Sequence, residues 1–311
     1  MNRYRDKLPQ LSGGFYLADG GLETDLIFNH GVEIREFAAH TLLADSAGRE
    51  TLATYFRPFL ELARDHAAGF ILDSQTWKAH THWASSLGES EEQLRDANCD
   101  SIGFIAGLRE EFAASTGPIV LNGIVGPTSD AYRPERRVPA GEAEAYHARQ
   151  LGWLAETTVD MVTATTFPHA DEAIGFVRAA RSAGLPAVVS FTVETDGRLP
   201  TGERLAEAVE RVDDATGGAA AYFNVNCAHP DHFFHVFDDC EWTRRVRGIR
   251  CNASRLSHAE LDACTTLDAG DPEALGRAYR NLLRHMPWIN VLGGCCGSDL
   301  RHVRQIAAFC S

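Results

Sequence analysis

Short apolar runs rich in β-branched residues alternate along the chain with longer stretches whose apolar positions recur at helical spacing. Eight runs read as strands: 16–20, 69–73, 118–125, 160–166, 187–193, 220–227, 246–252 and 289–295. Between them, Leu52, Tyr55, Phe56, Phe59, Leu60 and Ala63 fall on one face of a helix, with Pro58 predicting a kink or break in it. Ala173, Phe176, Val177 and Ala180 make a second such face, ended by Gly184 and Pro186. Ser257 and Glu260 form a capping-box pattern after the seventh strand. Eight strands, each followed by a helix, predict a (β/α)8 TIM barrel as one domain over residues 1–311. A doubly wound sheet is the alternative, because alternation alone does not fix strand order.

In a barrel of this kind the working residues sit where strands end. Those ends read ADGG, LDSQTW, NGIVGP, TATTF, SFTVE, NVNCA, CNAS and GGCCG. Cys227 therefore arrives at the same rim as the adjacent pair Cys295 and Cys296. On a regular strand two neighbours point to opposite faces, so the pair can serve one ligand only if the chain turns there. Gly293, Gly294 and Gly297 flank it and make a turn possible. Three thiolates with a fourth position left open describe a catalytic zinc site, whereas four closed ligands describe a structural one. Other readings stand beside this one. A single Cys at a strand end is often a small buried hydrophobe, and CC is also the pattern of a vicinal disulfide. GGCCGSD is compatible with a phosphate loop, with Ser298 or Asp299 as a helix N-cap.

Charge removes some partners. The chain has 43 acidic against 29 basic residues, a net −14, which argues against nucleic acid and acidic membrane surfaces. No run approaches a membrane span and the first residues lack an apolar signal core, so a cytoplasmic location is expected. In that compartment the eight cysteines read as thiols, metal ligands or catalytic groups before disulfides. Only Lys7 and Lys78 are lysines. The sequence carries no mark of an oligomeric state.

The segments ADGGLET at 18–24, GIVGP at 123–127, NVNC at 224–227 and LGGCCG at 292–297 together resemble the homocysteine S-methyltransferase family. The resemblance spans nearly the whole chain. It implies a (β/α)8 barrel and a Zn2+ ion held by Cys227, Cys295 and Cys296. It also implies a small-molecule thiol and a methyl donor as partners. The expected reaction moves a methyl group from a sulfonium or quaternary ammonium compound, S-methylmethionine first, to homocysteine, giving methionine. Coordination by a cation removes the thiol proton, so no general base is required.

The same resemblance puts Asp19, Gly20 and Gly21 beside the amino-acid substrate, Asn226 behind the metal loop, and Trp77, with Phe37, on an aromatic wall for a cationic donor. Asn252 is expected to face the pocket. One position departs: relatives commonly carry Glu at the end of strand four, where this chain has Thr165. Either another acid, Glu23 or Asp73, balances the substrate ammonium, or the acceptor is a thiol without one. Other donors, betaine and dimethylsulfoniopropionate, remain alternatives. So do a phosphate-binding barrel, whose Schiff-base form would need Lys78, and a non-catalytic zinc or redox module.

Overall fold

The computed structural model describes residues 3–237 and 240–311. Eight strands run β1 Tyr16–Leu17, β2 Gly69–Asp73, β3 Ile119–Val125, β4 Met161–Phe167, β5 Ala187–Phe191, β6 Ala220–Asn226, β7 Val246–Cys251 and β8 Val291–Gly294. Each pairs in parallel with the next, and Tyr16 opposite Val291 closes the ring, so the expected TIM barrel is the fold and the doubly wound sheet is not.

The helices that pack outside include α1 Ser46–Asp65, α2 Thr81–Leu87, α3 Glu91–Phe112, α4 Ala140–Ala155, α5 Ala170–Ser182, α6 Leu205–Thr216, α7 His258–Asp262, α8 Pro272–His285 and α9 Leu300–Cys310. Helix α1 runs through Pro58 without the predicted break. The proline removes one hydrogen bond, to the Thr54 carbonyl, but Leu52, Phe56, Phe59 and Leu60 on either side are buried and hold the helix to the barrel. Ser257 caps α7 in the expected box with Glu260, and Asp299 caps α9 through the backbone of Arg301.

The barrel interior changes character with height, and that change positions the site. At the base, inward residues are apolar: Tyr16, Ile71, Val120, Met161, Val188, Tyr222 and Val291 form a plug separate from the outer core. Two residues further along, six of the strands carry polar groups on the same face, Asp73, Asn122, Thr163, Ser190, Asn224 and Arg250, while β1 and β8 carry Ala18 and Gly293. Most of these polar groups are hydrogen-bonded within the layer or to the rim above it, whereas Asn224 Oδ1 finds no partner among the described residues. Asn122 donates to Asp73 at 2.8 Å and Thr163 donates to Asn122 at 2.8 Å. Gly248 leaves the room that the Asn224 side chain fills, since a Cβ there would lie 2.1 Å from Asn224 Oδ1. A hydrophobic floor under a hydrogen-bonded polar layer gives the mouth a fixed, charged base.

Candidate metal centre

Period-2 alternation would turn Cys227 away from the mouth, because Asn226 before it points inward. The backbone reverses this: Cys227 adopts φ +54°, a left-handed conformation that non-glycine residues seldom take. The residue is held there from two sides. Its amide donates to the Arg250 carbonyl at 3.1 Å, and its own carbonyl lies 2.6 Å from His258 Nε2. The other imidazole nitrogen of His258 faces Glu194 at 3.2 Å. Burial works against a charge on His258, but Glu194 and the Cys227 carbonyl outweigh it and raise the imidazole pKa. Tyr132 packs on the His258 ring at a centroid distance of 4.2 Å and reaches Cys227 through its hydroxyl.

At the end of β8, Cys295 continues the inward face and Cys296 lies in the turn that follows. The turn closes by Ser298 N donating to Cys295 O at 3.0 Å, with Gly297 at φ +77°. Gly293 and Gly294 serve a different purpose from the turning expected of them. They lie in the strand, where a Cβ would come within 2.9 Å of Ala18 Cβ and 1.9 Å of Ser298 Oγ. Gly20 and Gly21 answer from the β1 side: a Cβ on Gly20 would stand 2.7 Å from Ser298 O, and one on Gly21 2.5 Å from Cys295 O. The two glycine-rich motifs are thus the two halves of one backbone-to-backbone contact.

The three sulfurs of Cys227, Cys295 and Cys296 meet within 4.8 Å of one another, from strands almost seventy residues apart. Cys227 Sγ lies 2.6 Å from Cys295 Sγ and 3.6 Å from Cys296 Sγ. A tetrahedral ion with bonds near 2.3 Å sets its sulfurs about 3.8 Å apart, so Cys227 and Cys296 already have nearly that spacing, and Cys227 and Cys295 must part by about 1.2 Å to hold one. The thiols compete for one negative charge. Hydrogen bonds from Cys227 and Cys296, with Arg250 nearby, pull Cys295 well below the ordinary thiol range. Cys227 and Cys296 are pushed up in return. A metal cation is what lets all three be thiolates at once.

Of the remaining candidates, Asn226 touches this cluster. Asn226 accepts from Ser190 Oγ at 2.6 Å and Thr166 N at 3.1 Å, and its amide nitrogen sits 3.9 Å from Cys295 Sγ. Thr166, at φ +65°, shifts the register of β4 by a bulge before its last residue, Phe167, and Thr165 beside it stands half-buried with its carbonyl accepting from Trp77 Nε1 at 3.0 Å. Asn252 is buried, and its Oδ1 has no partner among the described residues. Phe37 is 43% exposed on a loop where both it and Glu36 take positive φ, and it makes no ring contact with Trp77.

Arg250, which motif reading passed over, reaches both Asp19 and Asp73 and ties β7 to β1 and β2. Asp19 also accepts from Tyr55 at 3.2 Å. Burial raises the Asp19 carboxyl pKa, with Arg250 and Tyr55 opposing the rise. Both aspartates therefore come to the mouth already engaged. Glu23 does not: no side chain among the described residues pairs with it. Burial, with Asp19 and Cys295 nearby and its own backbone and Lys78 opposing, raises its pKa to about 7. The sequence signal for Arg250 was a charged residue at an inward position of a strand covered on both faces, where apolar residues are the rule.

Taken with the barrel, these features define a mouth-sited centre able to hold one thiophilic metal ion. The family model for homocysteine S-methyltransferase matches residues 16–310, and the chain belongs to that family. It is a methyltransferase of that class. No curated protein sequence matches it. Among solved structures, the metallated form of the homocysteine methyltransferase MmuM from Escherichia coli superposes with TM-score 0.71 at 17% identity, covering 96% of this chain and 98% of that one. The oxidized form of the same enzyme gives 0.69 at 18% identity, with coverage of 96% and 97%. At that identity the likeness is one of fold. Among the described residues no helix is long and apolar enough to cross a membrane.

Proposed function

We propose that this protein is a zinc-dependent thiol S-methyltransferase that moves a methyl group from a small onium donor, S-methylmethionine first, to homocysteine, giving methionine. The observation that carries the reading is the meeting of Cys227, Cys295 and Cys296 within 4.8 Å at the barrel mouth. Three thiolates suit zinc better than the oxygen-seeking cations, and three protein ligands leave a place for a substrate. When bound there, zinc supplies the positive charge that keeps an acceptor thiol deprotonated at neutral pH.

The chain's own residues supply orientation. His258, fixed by Glu194, holds the carbonyl of Cys227 and so the direction of its sulfur. Asn226 braces Cys295 against β4 and β5. Of the two acids named as substitutes for the family Glu at Thr165, Asp73 is engaged by Arg250 and Asn122. Glu23 is the carboxylate left to accept the ammonium of an amino-acid thiol, and the orphaned Oδ1 of Asn252 offers a further acceptor. The thiolate attacks the methyl carbon in line, and the onium departs as a neutral sulfide or amine. The protein's task is therefore alignment and charge, with no proton to move in that step.

The test is a matrix of thiols against methyl donors with the zinc-loaded enzyme, products identified by mass, homocysteine with S-methylmethionine first. Methionine formation that stops on chelation and returns with zinc is expected. Undiminished transfer by metal-free protein, or no transfer to any thiol, refutes the proposal.

A further inference from the structure

The rim at the end of β2 is built with more care than an aromatic wall needs. Thr76 Oγ1 donates to Ile124 O at 2.6 Å, Gln150 donates to Thr76 O at 3.0 Å, and Gly126 N donates to Trp77 O at 3.1 Å. With Trp77 Nε1 on Thr165 O, these bonds pin residues 76–78 to β3, β4 and α4. On this fixed rim stands Lys78, one of only two lysines in the chain. Its ammonium lies 3.7 Å from the Trp83 ring centroid and 5.7 Å from that of Trp77. It makes no ion pair and donates to no acceptor among the described residues. Glu23, Glu36 and Asp130 act on it only at longer range, and burial lowers its pKa. A half-buried ammonium without an anion, at the mouth of a site for small charged molecules, is a group waiting for one.

Its position also bears on the donor. A cation approaching the Trp77 face meets the Lys78 charge, which disfavours a simple onium ion. A donor with a carboxylate resolves the conflict: the anionic end neutralises Lys78, while the onium end is left with the Trp77 indole and the rim carboxylates. Resting on the methyl-transfer reading above, we propose that Lys78 anchors a carboxylate of the methyl donor, so that the site selects zwitterionic onium compounds over onium cations that lack the acid.

Calorimetric titration of the zinc-loaded protein with dimethylsulfoniopropionate and with its isosteric carboxamide, which keeps the sulfonium and loses the negative charge, tests this. The wild type is expected to bind the acid at least ~10-fold more tightly than the amide. Lys78→Met should erase that preference by weakening the acid and not the amide, and Lys78→Arg should restore most of it. Equal binding of both compounds, binding of neither, or a preference that survives Lys78→Met overturns the proposal. The readout is binding, so absence of methyl transfer from either compound would count against the proposed reaction without touching the charge selectivity. Melting curves of both variants check that the fold is intact, and the arginine variant keeps the test decisive if the methionine one unfolds.

Discussion

Glu23→Gln isolates the cost of keeping an acid at the mouth with no cation of its own. Burial raises the Glu23 pKa from the ordinary 4.5 to about 7. The unfolded chain therefore gives up this proton more readily than the native one, and native stability falls as pH rises between those two values. Below about pH 4.5 the contribution is fully present because both states are protonated; above about pH 7 it is fully lost. The difference between those two values corresponds to about 3.4 kcal/mol, an upper figure because water at the mouth screens a half-buried carboxylate. Glutamine does not titrate. For a chain of this length about 3 kcal/mol moves the midpoint of melting by roughly 4–5 °C. The variant should match the wild type at pH 4.5 and melt higher at pH 8, by up to that amount. Differential scanning calorimetry on chelator-treated, reduced protein from pH 4.5 to 8 measures the gap. A gap that is constant over this range, or one that closes as pH rises, refutes the assignment of a strained, unpaired carboxylate. The stabilised variant should also need at least ~10-fold more homocysteine for half-maximal rate, since a residue kept at a cost in stability is kept for binding.

Serine at Cys227, Cys295 or Cys296 should lower bound zinc from about one ion per chain to near zero and abolish transfer, as read by elemental analysis and mass spectrometry of products. His258→Ala should leave the fold intact but weaken zinc about 10- to 100-fold, in competition with a chromogenic chelator, because the Cys227 carbonyl loses its anchor. Arg250→Met leaves Asp19 and Asp73 facing each other without their shared cation; urea unfolding should show a loss of about 3–5 kcal/mol, and a neutral result would remove Arg250 from the account.

The strands were legible because a parallel sheet covered on both faces writes near-continuous apolar runs, and their number with intervening helices points to a barrel. The three cysteines were legible because each stands where such a run stops. What gathers around them was not. Arg250 sits within a strand, and its partners Asp19 and Asp73 lie 231 and 177 residues away, so no local pattern links them. His258 and Tyr132 approach Cys227 from a short helix and an irregular loop. The left-handed backbone at Thr166 and Cys227 is imposed by tertiary contacts, since neither residue type asks for it. At Pro58 the break that was one of the two expected outcomes is absent, as burial of a long helix overrides one missing hydrogen bond.

The contact of Gly20 and Gly21 with the backbone of Cys295 and Ser298 has a bearing on how the protein matures. The stave that completes the ring is the last to leave the ribosome, and it brings two of the three sulfurs with it. A nascent chain paused before it possesses neither a sealed cylinder nor a competent ligand set. The closed ring and the three-sulfur cluster are thereby completed together, by one and the same segment of chain.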